Sequence, residues 1–277
     1  MAGIEVLVAV REEHASRYHK NLSMISNFRV RIVTNMNDAY EDLGNPARHT
    51  DVLVLDNGLD DGFTAVRALR NKFSRLVIVL VDEEADFALP GQADDISTDP
   101  FSNGDLARRI NRLMSDRSLE TLRADAMPPV REFAKKLRKA VGEFGKQEAA
   151  VKALRDIGYD YVAFYRIDTS EPMTLTLKAQ EGSPAIQSVA PKQASPNDLM
   201  TWVATNGQSR VAAPTDEINH PLVKKSRLGA AAAAVVGGTN RYGVLVACRE
   251  KPDSISPQDV LILELVCAQL AAVSTRE

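Results

Sequence analysis

Cysteine is scarce in this 277-residue chain: Cys248 and Cys267 are the only two, far apart and each in an apolar stretch. That argues against a disulfide framework and points to buried thiols in a reduced, cytoplasmic protein. Histidine is scarce as well. His14, His19, His49 and His220 share no ligand spacing with the cysteines, so neither a zinc site nor any other metal is expected. A basic excess is missing: 34 Lys and Arg stand against 37 Asp and Glu, a net charge of −3 that offers nucleic acid little attraction. The longest weakly polar run, GAAAAAVVGG, is about half a bilayer span, so no membrane crossing is expected. The opening MAGIEVLVAV has neither a basic region nor a small-residue cleavage site, and no secretory signal is expected. What is present, 44% hydrophobic and 26% charged residues, suits an ordinary globular chain long enough for two domains.

The first 115 residues alternate short apolar runs with amphipathic ones. IEVLVAV (4–10), DVLVLD (51–56) and LVIVLV (76–81) are short, branched and nearly uninterrupted, as buried strands are. FRVRIVT (28–34) alternates as a half-buried strand does, and DISTD (95–99) is a fifth, short strand. Helical patterns fall between them at 13–26, 37–44 and 63–73, with another at 103–114. Strands alternating with helices imply a flavodoxin-like, doubly wound parallel sheet covered on both faces. Function in such a fold gathers at the carboxyl ends of the strands, which singles out Val10, Arg11, Asp56, Val81, Asp82 and Asp99.

Residues 1–115 resemble the receiver domain of two-component response regulators. The likeness is carried by DVLVLD ending in Asp56, by LVIVLV, and by ADDISTDPF (93–101) before an amphipathic helix. It implies Asp56 as the phosphoacceptor-like position. Receiver chemistry needs an acidic pair after the first strand to hold magnesium, a hydroxyl after the fourth and a Lys after the fifth, because phosphoryl transfer builds negative charge on oxygen. Here those positions carry Val10 and Arg11, Val81 followed by Asp82, and Asp99; Ile96 stands where the family has an aromatic switch residue. The loop NGLDDG after Asp56 is shorter than the family's and lacks its Pro. Together these departures imply a degenerate, phosphorylation-independent receiver. Two other readings stay open: Glu12 or Glu13 takes the metal role with Arg11 replacing the Lys, or Asp56 merely caps the following loop.

Residues 116–129 are polar and end in a Pro pair, which reads as a break opening a helical linker over 116–147. Val130, Phe133, Leu137, Val141, Phe144, Val151 and Leu154 then recur at helical steps, either as a packed face or as a dimer seam. From 148 to 277 the texture is α+β. YDYVAFYRID (159–168) and MTLTLKAQEG (173–182) read as antiparallel strands, and the run from Ala230 to Glu250 as a hairpin. NDLMTWVATNG (197–207) is a helix, and another closes the chain over 256–274.

This half resembles a GAF domain: an antiparallel sheet with flanking helices. The resemblance rests on the helix into GYDYVAFYRID, on TLTLKAQEG, on the helix holding Trp202, on SRVAAPT (209–215), on the hairpin and on the last helix. It implies a pocket between one sheet face and the loops over 183–228, with Tyr165, Trp202, Ala232 and Tyr242 as candidate lining. Trp202 and Tyr242 either stack on a flat ligand or fill the core. Neither cysteine precedes a histidine, so no covalent chromophore is expected, and His220 beside Pro221 reads as a loop turn rather than a heme ligand. No cofactor is expected.

These readings lead to a cytoplasmic bacterial signalling protein without catalytic output, acting through an unidentified protein partner. It is expected to form a homodimer through helices 130–154 and 256–274, and to use its GAF half for dimerisation or small-ligand sensing. The alternative is a phosphorylatable response regulator using Asp56 with a GAF effector. A third reading gathers Asp56, Asp60, Asp61, Asp82 and Asp99 into a metal-dependent hydrolase.

Overall fold

Runs of branched side chains at the front of the chain become strands buried on both faces. In the computed structural model, which describes residues 3–45, 47–59, 62–73, 75–84, 93–168, 172–238 and 240–274 (backbone only at 62, 63 and 71), the chain divides into two compact units. One comprises Met1–Arg70 and Leu76–Glu120, the other Asn71–Arg75 and Thr121–Glu277.

The first unit runs β1 (Ile4–Ala9), α1 (Glu12–Leu22), β2 (Phe28–Val33), α2 (Met36–Gly44), β3 (Val52–Asp56), α3 (Gly62–Lys72), β4 (Val77–Val81), β5 (Asp95–Ser97) and α4 (Asp105–Asp125). All pairs are parallel, in the order β2-β1-β3-β4-β5, which is a flavodoxin-like sheet. Every residue of β3 and β4 is buried, as central strands covered on both faces require. Strand order reverses between β1 and β3, so the loops after these two strands diverge and leave a crevice at their carboxyl ends. Arg11 and Asp56 stand there.

The second unit contains α5 (Pro128–Lys139), α6 (Gly142–Asp156), β6 (Tyr161–Asp168), β7 (Thr174–Gly182), α7 (Pro184–Val189), α8 (Leu199–Asn206), β8 (Arg210–Ala212), α9 (Pro221–Lys224), β9 (Ala230–Gly237), β10 (Arg241–Arg249) and α10 (Pro257–Ser274). Its strands are antiparallel in the order β7-β6-β10-β9-β8. Alternation along the strands builds two cores. Phe164, Ala232, Ala234 and Leu245 face α5, α6 and α10; Tyr161, Ala163, Tyr165, Ala231 and Ala233 face α8 and α9. Asp198 caps α8 by accepting from the Thr201 N–H, and Gly207 ends it at a φ of 69°, a left-handed turn that glycine makes cheaply.

The polar stretch at 116–129 does not lie outside both units, whose division at Glu120 and Thr121 falls within it. α4 continues unbroken to Asp125, and the Pro pair opens α5 instead, because a first-turn proline gives up an N–H that has no helical partner anyway. Nor is the apolar stripe free to form a dimer seam: Val130, Phe133, Leu137, Val151 and Leu154 are buried in their own unit. The helix breaks at Ala140 and Val141, leaving Val141 and Phe144 exposed. α10 is the one described helix long and apolar enough to cross a membrane by length and composition, where no such segment was expected. Its Val260, Leu263, Val266 and Leu270 are buried in the unit's core.

Candidate functional site

Asp56 ends β3 with its side chain 6% exposed, and its carboxylate is fully engaged by donors. Arg11, the second residue beyond β1 and the last before α1, donates from Nε to Oδ2 at 3.0 Å and from Nη2 to Oδ1 at 3.5 Å. The Gly58 N–H donates to Oδ1 at 2.9 Å, the Arg11 N–H reaches Oδ2 at 3.5 Å, and His14 Nδ1 lies 3.7 Å from the same oxygen. The two-point contact is the geometry in which a guanidinium binds a carboxylate best. Its hydrogen bonds and the charge of Asp56 hold the Arg11 guanidinium above its usual pKa.

Gly58 makes room for that contact. A Cβ at this position would stand 2.7 Å from Arg11 Cζ and 2.9 Å from Nε, closer than real side chains approach. Gly58→Ala should therefore push the guanidinium off Asp56. The expected loss is about 1–2 kcal/mol, roughly what forfeited charge-assisted hydrogen bonds cost. Hydrogen exchange of the β1 and β3 amides measures it; unchanged protection would mean that the guanidinium relocates freely.

The other receiver-like positions do not assemble a metal site. Val10 and Val81 are buried apolar residues, and Ile96 packs at the edge of the core. Glu12 and Glu13 are exposed in the first turn of α1. Asp82 turns to the loop after β3, where its Oδ2 accepts from Asn57 Nδ2 at 2.9 Å. Asp99 is exposed and forms no ion pair among the described residues. Of the five carboxylates considered for a hydrolase, Asp60 and Asp61 lie outside the described residues, and no group of three His, Cys, Asp or Glu converges among the described ones. Phe101 is fixed nearby by Tyr18, edge-on at 4.8 Å, and by the Arg17 guanidinium 3.9 Å above its ring.

In the second unit the four residues expected to line one pocket fall on opposite faces of the sheet. Tyr165 and Trp202 belong to the α8 side, Ala232 and Tyr242 to the side of the terminal helices. The cause is the two-residue period of strands: Ala231 and Ala233 point one way, Ala232 the other. Tyr165 is buried and donates to the Pro191 carbonyl at 2.8 Å, while Tyr161 donates to Gln180 Oε1 at 3.1 Å. Burial holds both phenols well above the usual tyrosine range.

The sequence reading missed two residues of this face. His220 does not simply sit in a loop turn: it is fully buried, its Nδ1 accepts from the Leu222 N–H at the start of α9, and its Nε2 has no partner among the described residues. Burial pushes its pKa down to about 3. Arg210, within SRVAAPT, is buried at the start of β8 with its guanidinium carbon 4.8 Å from the Trp202 ring. Only its place one residue after Ser209 in a strand-like stretch hinted at this, and charge alone argued for exposure.

No family profile and no curated protein matches the chain. Solved structures do show likeness of fold. The GAF domain of an Acinetobacter phosphoenolpyruvate-protein phosphotransferase is 20% identical, over 53% of this chain and 90% of that one, with a TM-score of 0.45. A free methionine-R-sulfoxide reductase from Neisseria meningitidis, solved with its substrate, is 16% identical over 51% and 83%, with a TM-score of 0.45. The signal receiver domain of an HD domain-containing protein from Pseudomonas fluorescens is 15% identical over 43% and 93%, with a TM-score of 0.38. The fold class itself follows from strand order and direction: a flavodoxin-like α/β unit joined to an antiparallel α+β unit.

Proposed function

We propose that this is a signal-transduction protein working through protein–protein interaction, with a receiver-like unit that operates without phosphorylation and a second unit serving small-ligand sensing or dimerisation. One observation carries the reading: the Asp56 carboxylate is already neutralised by Arg11 at 3.0 Å. A carboxylate held by a guanidinium is a poor nucleophile for phosphorus. The positive charge beside it also repels the magnesium ion that phosphoryl transfer needs, and Val10 and Arg11 carry no carboxylate to take its place. A homodimer would use the exposed members of the 130–154 stripe, Val141 and Phe144, rather than its buried ones.

Incubation with acetyl phosphate and magnesium, read by intact mass, tests this. No phosphate-sized gain is expected for the unmodified chain. A single gain that disappears in Asp56→Asn would establish the phosphorylatable alternative.

A further inference from the structure

Two side chains on the α8 face of the second sheet are buried without the partners their chemistry calls for. Arg210 is 6% exposed, its Nε meets no acceptor, and its side chain makes no ion pair or hydrogen bond among the described residues. Asp216 attracts it at a distance, but that carboxylate accepts from the Ala213 N–H at 2.8 Å. His220 is 0% exposed, and its Nε2 is likewise without a partner. Cross-strand register shows what lies between. Arg210 shares a row with Ala233, Val246 and Ala163, and the neighbouring row runs Ala212, Ala231, Cys248 and Tyr161. Apart from Val246 and Tyr161 the floor is made of small side chains, with an orphaned cation at its β8 edge and an orphaned imidazole against Tyr161, 6.2 Å between ring centroids.

A buried guanidinium without acceptors is costly, and stacking on an indole offsets only part of that cost. The stack uses one face of the group and leaves its in-plane donors open, the fork that grips an oxyanion through two parallel bonds. β8 is a three-residue edge strand, and Trp202, Gln208 and Ser209 beside Arg210 are only half-buried, so a small molecule can approach from the edge. We infer that Arg210, backed by Trp202, is the oxyanion subsite of a small-molecule site in the second unit, for ligands bearing a carboxylate or phosphate group. The inference deepens the sensing role proposed for this unit and rests on it; it is independent of Asp56.

Trp202 is the sole tryptophan of the chain, so its emission reports on the subsite directly. Titration with inorganic phosphate and, separately, with acetate, at ionic strength held constant with chloride, should give a saturable change for at least one of them, which also distinguishes the two ligand classes. Arg210→Lys should weaken it by about tenfold or more, because the ammonium keeps the charge but loses the fork. Arg210→Gln should abolish it, and Lys224→Gln, on the exposed side of α9, should leave it intact. If Arg210→Gln does not fold, Arg210→Lys decides alone. No saturable change with either anion, or equal affinity in the Arg210 variants, overturns the inference. A change produced by the neutral probe methyl acetate equally in the unmodified and Arg210→Lys chains would preserve a sensory site while refuting its anion subsite.

Discussion

Arg11→Met alone should destabilise the first unit by about 2–3 kcal/mol, while Arg11→Met combined with Asp56→Leu should recover most of the loss. Asp56 has a side chain only 6% exposed, so removing its partner strands a carboxylate where water cannot reach it well. Unpairing one member of a buried ion pair costs roughly 3–5 kcal/mol, yet replacing both members by apolar groups is often neutral. The figure belongs below that range because the Arg11 side chain is 33% exposed and its attraction is partly screened, and because the Gly58 N–H still donates to Oδ1. Protection of the β3 amides against hydrogen exchange reads the first unit separately from the second. A double-mutant cycle with strictly additive losses would mean that Arg11 and Asp56 are neighbours without being coupled.

Acid should unfold the second unit through His220. Its pKa in the fold is pushed down to about 3 by burial alone, against about 6.5 in an unfolded chain. The folded state thus binds fewer protons than the unfolded one throughout this window. Stability from keeping the ring neutral is fully present above pH 6.5 and is lost as pH falls toward 3, at up to about 1.4 kcal/mol per pH unit. His220→Asn isolates the effect, since Asn also serves well as a helix N-cap and can accept the Leu222 N–H. Urea midpoints followed by Trp202 emission should fall steeply with acid in the unmodified chain and much less in the variant. Parallel curves would show that His220 finds a proton-stabilising partner inside the fold.

The strands of both units were legible because their periods are distinct. Short, branched, uninterrupted runs such as DVLVLD and LVIVLV, set between helical patterns, read as buried parallel strands, and they became β3 and β4. The departures at Val10, Arg11 and Asp99 from the receiver pattern were legible in the sequence, but the contact that Arg11 makes instead was not. That Arg11 folds back onto Asp56 depends on Gly58 leaving space, a contact across 47 residues that no local pattern encodes. The pocket forecast failed for a related reason. Tyr165, Trp202, Ala232 and Tyr242 were chosen by residue type, whereas strand parity sorts them onto two faces. The helical stripe of 130–154 was only partly legible: Val130, Phe133, Leu137, Val151 and Leu154 form a buried face against the unit's own core, which periodicity cannot distinguish from a second copy, whereas Val141 and Phe144 fall at the break between α5 and α6 and are exposed.

The pairing of Arg11 with Asp56 is the point on which the account turns, and the Arg11 side-chain Nε–H resonance observes it directly. In a nitrogen-15 correlation spectrum this proton should exchange slowly, shift in Asp56→Asn, and stay in place when magnesium and acetyl phosphate are added. A resonance already averaged with solvent, or one released on adding magnesium and acetyl phosphate, would contradict an Asp56 held by Arg11.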